Sequence, residues 1–446
     1  MKTDNRQFSV FPLVLRWAVL LGLLVMGGWY VIGMPGKSWS GALPPLSVVE
    51  RQIHDNLQRH VEELAGRIGE RNVWRPQALV AAADYIRDTL VALGYEVRAQ
   101  PFSSRGQTAN NLEVEIPGGS RPQEIIVVGA HYDSVTGSPG ANDNASGVAA
   151  LLEIARLLAV EPMTRTVRLV AFANEEPPFF YTEEMGSHIY AARSREREEQ
   201  IVGMLALETI GYYTDKPASQ HYPFPFSLFY PHTGNFIGFV GNLSSRRTVR
   251  HAIGAFRSST RFPSEGVAAP GWMMGIHWSD HWSFWEAGYP AIMVTDTALF
   301  RYRHYHSATD TPDKLDYEGL GKVARVLQET VSYLGERPEP LSATLDGARS
   351  NAPANLSATR RVSFGTVPDF TYSGSGVRLD DVRAGTPAQR AGLRSGDIII
   401  AVNGTPVDGM RAYAEALRQL KPGDKIRVNF LRDGIEKTLD TRVSER

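Results

Sequence analysis

Three short apolar runs, Glu124–Ala130 (EIIVVGA), Thr166–Ala173 and Gly203–Leu207, each stop at residues that can bind a metal or move a proton. His131 follows the first, Glu175-Glu176 follow the second and Glu208 follows the third. Continuous apolar runs of this length are strands covered on both faces of a sheet. Strands of this kind, alternating with amphipathic helices, fold as open α/β sheets, whose carboxyl edge is where ligands bind. One pattern therefore constrains both the fold and the place of a site.

The rest of the chain fits that frame. Helices are expected at Leu46–Arg67, where Ile53, Leu57, Val61 and Leu64 have helical spacing, and at Pro76–Leu93, Ser146–Leu158, Gly186–Arg197 and Leu320–Leu334. Further strands are expected at Tyr95–Ala99, Asn111–Ile116 and Tyr289–Thr295. The expected fold class is α/β, a three-layer sandwich with a mainly parallel central sheet, over residues 46–335.

The chain has 446 residues, too many for one ordinary core. Its net charge of -1 gives no electrostatic case for nucleic acid. With no cysteine it has no disulfide, no thiolate nucleophile and no thiolate zinc site. Trp17 to Met34 carries no charge and is long enough to cross a bilayer; Lys2, Arg6 and Arg16 precede it. Residues 1–45 are thus expected to be a cytoplasmic tip, a transmembrane helix and a Pro/Gly/Ser linker. The expected location is a bacterial inner membrane, single-pass, with the bulk of the chain periplasmic or extracellular. Secretion after cleavage is the alternative.

The segments that carry chemistry are His131-Tyr-Asp133, the loop Gly140-Ala-Asn-Asp143-Asn-Ala-Ser-Gly147, Glu175-Glu176, Glu208 and Tyr305-His306-Ser307. Two imidazoles and several carboxylates without a thiolate form a mixed N/O donor set suited to hydrolytic zinc. There is no His-Glu-x-x-His, Gly-x-Ser-x-Gly or P-loop pattern to compete with it.

On these motifs, Leu46 to Leu334 resembles the co-catalytic di-zinc exopeptidases, a family that includes bacterial leucyl aminopeptidases, glutamate carboxypeptidase and glutaminyl cyclase. The resemblance implies two zinc ions per chain. It implies that His131 and Glu208 hold one ion, that Glu176 and His306 hold the other and that Asp143 bridges them. Asp133 would orient His131, and Glu175 would be the general base. The family usually has Asp where this chain has Glu208, so a longer carboxylate must reach the metal or that site is less occupied. Phe179 and Tyr181 either shape a substrate pocket or pack. The stretch Ser279-Asp280-His281-Trp-Ser-Phe284-Trp285 matches a recurring family segment; Trp278, Asp280, His281 and Trp285 are read as pocket lining and support, or the stretch is a helix capped by Ser279 and followed by core aromatics.

Residues 336–360 read as a linker and 361–446 as a second domain. Gly385-Thr-Pro-Ala388, Ala391-Gly-Leu393, Gly396-Asp-Ile-Ile399 and Val402-Asn-Gly404 resemble a bacterial PDZ domain. Gly374, Ser375, Gly376 and Val377 would be its carboxylate loop for a C-terminal peptide. The leading functional expectation is a membrane-anchored zinc aminopeptidase acting on peptide or protein N-termini. The alternatives are a single-zinc glutaminyl cyclase and an inactive peptidase fold that binds partners through PDZ.

Overall fold

The structure is a computed structural model. It describes residues 22–23, 26–159, 161–223, 225–273, 275–337, 341, 362–368, 372, 374–382, 385–409, 412–413, 416–417 and 419–445. Helix α1 (Val48–Val61) starts at Ser47, whose hydroxyl accepts from Glu50 N while the Glu50 carboxylate accepts from Ser47 N. This reciprocal pair satisfies two of the free amides of a helix start. It runs into a π-helical turn at Glu62–Ile68, and α2 (Pro76–Ala92) follows.

The large sheet contains β1 (Arg98–Ser104), β2 (Gln107–Ile116), β3 (Gly118–His131), β4 (Met163–Phe172), β5 (Gln200–Glu208), β6 (Ile237–Asn242), β7 (Ser264–Ala269) and β8 (Ala291–Thr295). Their order is β1-β2-β4-β3-β5-β8-β6-β7. The central block β4-β3-β5-β8 is parallel; β1 with β2, β2 with β4 and β6 with β8 are antiparallel. The sheet is therefore mixed at its flanks and parallel where it matters for the site. Between the strands lie α3 (Ser146–Leu158), α4 (Gly186–Glu196), α5 (Arg246–Ser259), α6 (His281–Glu286) and α7 (Tyr317–Glu336).

Both faces of the sheet are covered, as the unbroken apolar runs require. Along β3, Ile126, Val128 and Ala130 join the large core beneath α1, α3 and α7. Ile125 and Val127 point the other way, into a second core with Tyr190 of α4 and Phe284 of α6. The period of two puts alternate side chains on opposite faces.

No element is read from the sequence between residues 210 and 278, yet β6, α5 and β7 lie there. β6 (IGFVGN) and β7 (SEGVAA) are rich in Gly and Ala, which have low strand propensity. Their glycines serve packing: a Cβ on Gly241 would lie 2.6 Å from Val249 of α5, and one on Gly266 would lie 2.8 Å from Ile253.

Of the expected membrane run, residues 17–21 and 24–25 lie outside those described; 26–32 is helical. Among the described residues, no helix is long and apolar enough to cross a membrane.

The C-terminal unit has its own core around Phe364, Leu379, Ile399, Val402, Val428 and Phe430. Its strands include β9 (Val362–Ser363), β10 (Thr366–Pro368), β11 (Val377–Val382), β12 (Ile398–Val402), β13 (Thr405–Pro406), β14 (Lys425–Arg432), β15 (Ile435–Arg442) and β16 (Ser444–Glu445). Asn403-Gly404 and Asp433-Gly434 all have positive φ, as two-residue hairpin turns demand. Asp397, 1% exposed, holds Arg432 through two bonds of 2.7 Å.

The carboxylate-loop expectation for Gly374, Ser375, Gly376 and Val377 needs correction. Val377 opens β11, which lies between β10 and β12, so it is an interior strand. The Gly376 amide is already donated to Asp408 O at 3.4 Å. Among the described residues, the edge strand next to these is β10, which follows Gly365 (φ 91°).

Candidate metal centre

The four parallel strands bring their carboxyl ends to one edge. β3 ends on His131 and β5 on Glu208; Asn174-Glu175-Glu176 follow β4, and the loop after β8 returns His306. Asn174, Thr209 and His306 have φ of 59°, 49° and 55°, so the backbone is strained into the left-handed region beside or at a donor.

Asp143 is delivered by the Gly140–Gly147 loop, which is stitched to its surroundings. Asn142 donates to Asp296 at 2.9 Å and accepts from Gly211 N at 2.8 Å. Asn144 donates to Leu207 O at 2.7 Å. The two glycines are steric necessities. A Cβ on Gly140 (φ 63°) would lie 2.4 Å from Asp143 O, and one on Gly147 would lie 2.5 Å from Leu207 O. Gly147→Ala is expected to displace the loop, lowering metal content and thermal stability together. Metal analysis and a melting curve on the variant check this.

Two donor groups result: His131, Asp143 and Glu208, and Asp143, Glu176 and His306, with the ligand atoms of each within 4.8 Å of one another. Asp143 belongs to both. Its Oδ1 lies 3.3 Å from His131 Nε2 and its Oδ2 lies 3.0 Å from His306 Nε2. Glu208 Oε2 is 3.2 Å from His131 Nε2, and Glu176 Oε2 is 3.2 Å from His306 Nε2. The longer Glu208 side chain therefore reaches the group, and Ser279 Oγ donates to it at 2.7 Å. His304, two residues before His306, turns away to Thr309.

These residues fit zinc. Tetrahedral ligands about 2.0–2.1 Å from the ion stand roughly 3.3 Å apart, close to the donor spacings here. His131 Nε2 and both Asp143 carboxylate oxygens are buried without a hydrogen-bond partner, which is costly unless a cation takes them. The charge balance points the same way. Burial raises the Glu176 carboxyl to about 7, and burial raises Glu175 and Glu208 as well, with neighbouring carboxylates adding to each rise. Burial alone would lower the His306 imidazole, yet Glu176 and Asp143 carry it up to about 10. A dication supplies the missing positive charge.

Asp133 organises the centre from behind. Its Oδ1 accepts from Glu175 N and its Oδ2 from Glu176 N, both at 3.1 Å, and Oδ1 lies 3.5 Å from His131 Nδ1. Glu175 is in neither donor group; its Oε2 lies 3.9 Å from His131 Nε2. Two further residues brace the centre: Arg71, which nothing in the sequence marks, and Asp310, whose role the sequence leaves open. Arg71, fully buried, donates to the carbonyls of Tyr132, Gly69, Pro139 and Gly140, tying the exit of β3 to the Asp143 loop. Asp310 accepts from Asn142 N, Asp143 N and the Tyr302 hydroxyl.

Of the expected pocket residues, Trp278 lines the two cavities beside the donor groups. Phe179 packs into the main core, and its neighbour Phe180 faces the cleft instead. Tyr181 turns its hydroxyl to His277. Asp280, 1% exposed, is buried just before α6. His281 meets Ile276 O at 2.8 Å and Trp285 donates to Ala291 O, both as core side chains of the short helix α6. Phe179, His281 and Trp285 therefore sit as packing residues, whereas both Asp280 oxygens are buried without a hydrogen-bond partner. A small cleft over Glu175, Glu176, Phe180 and His306 meets a larger apolar cavity, because Trp278, Leu299 and Tyr305 line both. The larger one is walled by Phe226, Phe236, Val240, Val267, Met293 and Phe300 and reaches Glu208. It has the apolar character of a ligand site.

The sequence pattern of peptidase family M28 matches residues 111–331, and that of a PDZ domain matches 347–443. The uncharacterized protein YfbL of Escherichia coli K12 is 37% identical over 334 residues, which cover 73% of this chain and 98% of YfbL. The chain belongs to peptidase family M28. Another relative, a probable zinc metalloprotease of Pyrenophora teres f. teres, is 28% identical over 271 residues, and the chain spans about half its length (54%). The Legionella pneumophila LapA aminopeptidase shares the fold, with a TM-score of 0.53 at 16% identity over 67% of this chain and 78% of that one. This M28 peptidase is a zinc enzyme, and its donor residues are those of a mixed N/O zinc site.

Proposed function

We infer that this M28 peptidase is an aminopeptidase that binds two zinc ions and removes residues with large apolar side chains from peptide N-termini. The observation that carries this reading is the paired donor groups sharing Asp143, with Glu175 beside them and an apolar cavity opening onto Glu208. Bound there, zinc supplies Lewis-acid polarisation of the scissile carbonyl and a water acidic enough to attack it. His131, Asp143 and Glu208 would hold one ion, and Asp143, Glu176 and His306 the other.

The chain's own residues do the rest. Glu175 takes a proton from the attacking water as its oxygen bonds to the carbonyl carbon. As the C–N bond breaks, Glu175 returns that proton to the departing amine. Burial and the nearby Glu208 and Glu176 carboxylates raise its proton affinity, which suits a base working near neutral pH. Asp133 holds the Glu175 and Glu176 amides, so base and ligand keep a fixed spacing.

The uncharged run Trp17–Met34 behind Lys2, Arg6 and Arg16 supports a single-pass anchor, with the catalytic domain on the outer side of a bacterial inner membrane. The PDZ domain would take an extended peptide C-terminus at an open sheet edge.

Chelation followed by readdition tests the metal reading. Removing metal is expected to abolish peptide hydrolysis and zinc to restore it, with about two ions per chain by mass spectrometry. One ion would favour the cyclase alternative, and none the inactive binding module. For the cavity, Val240→Phe is expected to raise KM for substrates with an N-terminal Phe or Leu by roughly 10-fold or more, while sparing Ala substrates. An equal effect on both would overturn the assignment of the cavity to the substrate side chain.

A further inference from the structure

The N-terminal segment does not leave the catalytic domain freely. Three arginines on α5 hold it: Arg246 Nε donates to Tyr30 O at 2.6 Å, Arg250 donates to Gly33 O, and Arg257 donates to Pro35 O at 3.0 Å. The Arg246 guanidinium also lies 4.0 Å from the Tyr30 ring centre. Ser264 N of β7 donates to Ser38 Oγ at 3.0 Å. Residues 30–38 are thus strapped to one edge of the sheet. Val31 packs on Phe226, Val240, Val267 and Ile276, which also wall the large cavity.

Around this strap the surface is unusually apolar. Trp29 is 66% exposed and Tyr30 50%. Leu228 (68%) and Phe229 (57%) lie in the turn whose Phe226 and Tyr230 share the Val31 cluster, and Trp272 (76%) precedes Met273 of that cluster. Leu243 (42%) sits just before α5, where Arg246 N donates to its carbonyl. Isolated exposed apolar side chains need no explanation, but a group of aromatics rimmed by arginines does.

We propose that this face rests on a lipid bilayer, so that the catalytic domain lies against the membrane surface. The direction of the chain selects that occupant. Upstream of Trp29 the sequence stays uncharged and apolar back to Trp17, so on the anchor reading the membrane segment is continuous in sequence with Trp29 and Tyr30 of this face. The strap leaves no slack to lift the domain away. Trp and Tyr beside Arg is the composition that favours the interface, with the rings at headgroup level and the guanidinium groups near phosphates. The cavity floor then lies one side-chain layer from the bilayer. The inference rests on the anchor reading given above and is independent of the peptidase chemistry.

The chain has no cysteine, so single cysteines label cleanly. Phe229→Cys, Trp272→Cys and, at the opposite end of the sheet, Arg87→Cys would each be made in the full chain. Each would be spin-labelled and reconstituted in phosphatidylethanolamine–phosphatidylglycerol vesicles. The expected result is that labels at 229 and 272 collide several-fold more with lipid-dissolved oxygen than with an aqueous nickel chelate, and that the label at 87 shows the reverse. If 229 and 272 behave like 87 while the protein floats with the vesicles, the anchor stands and the proposal fails. If the protein does not float, both fail. If the labels are shielded from both reagents, protein rather than lipid covers the face, and the proposal is again overturned.

Discussion

Glu175→Gln is expected to lower turnover by about 100- to 10,000-fold while leaving the zinc content unchanged. The amide keeps the shape of the carboxylate and cannot accept the proton of the attacking water. Glu175 belongs to neither donor group, so metal binding survives its loss of charge. Its amide is held by Asp133 Oδ1 at 3.1 Å, a backbone bond that the substitution preserves. Steady-state rates and metal analysis on the same preparation decide the matter. Near-normal turnover would remove Glu175 from the mechanism, and loss of zinc would move it into the ligand set.

Arg71→Leu is expected to destabilise the catalytic domain by about 3–5 kcal/mol, because it breaks a buried charge arrangement from one side. Arg71 donates to Tyr132 O at 2.7 Å and Gly140 O at 2.8 Å, so leucine leaves buried carbonyls unpaired at both edges of the metal loop. The guanidinium also faces Asp133, Asp310, Asp143 and Glu176; burial pulls it down to about 10, where it remains charged at neutral pH. A fall in Tm on the order of 10 °C with weaker zinc retention is the expected readout. Arg71→Lys keeps the charge without the fork and should fall between the two. An unchanged Tm and full zinc in Arg71→Leu would show that the carbonyls find other partners.

The site was legible in the sequence to the extent that local pattern encodes it. His131, Glu175, Glu176 and Glu208 stand at or just past the ends of apolar strands, and parallel strands in one sheet must present those ends together. Asp143 was legible through its glycine-bounded loop, and both glycines prove to be demanded by close backbone approach. What failed were readings that needed a third dimension. Phe179 and Phe180 are adjacent, and only the turn of the loop decides which enters the core and which faces the cleft. Ser279 could have been a helix cap, but its hydroxyl goes to Glu208, 71 residues away. Arg71 reaches Tyr132 O across 61 residues and Gly140 O across 69, and no periodicity records such a contact.

The sequence by itself determined the α/β class and the carboxyl edge where His131, Glu175, Glu176 and Glu208 stand, while their reading as ligands and base came with the family resemblance. The sequence did so because strand period and strand ends are local properties. Only the tertiary structure decided that Glu208 reaches His131, that Arg71 and Asp310 brace the loop, that β6 and β7 extend the sheet, and that β11 is an interior strand. Each of these depends on which distant backbones pair and how closely they approach, and side-chain order along a chain does not fix those distances.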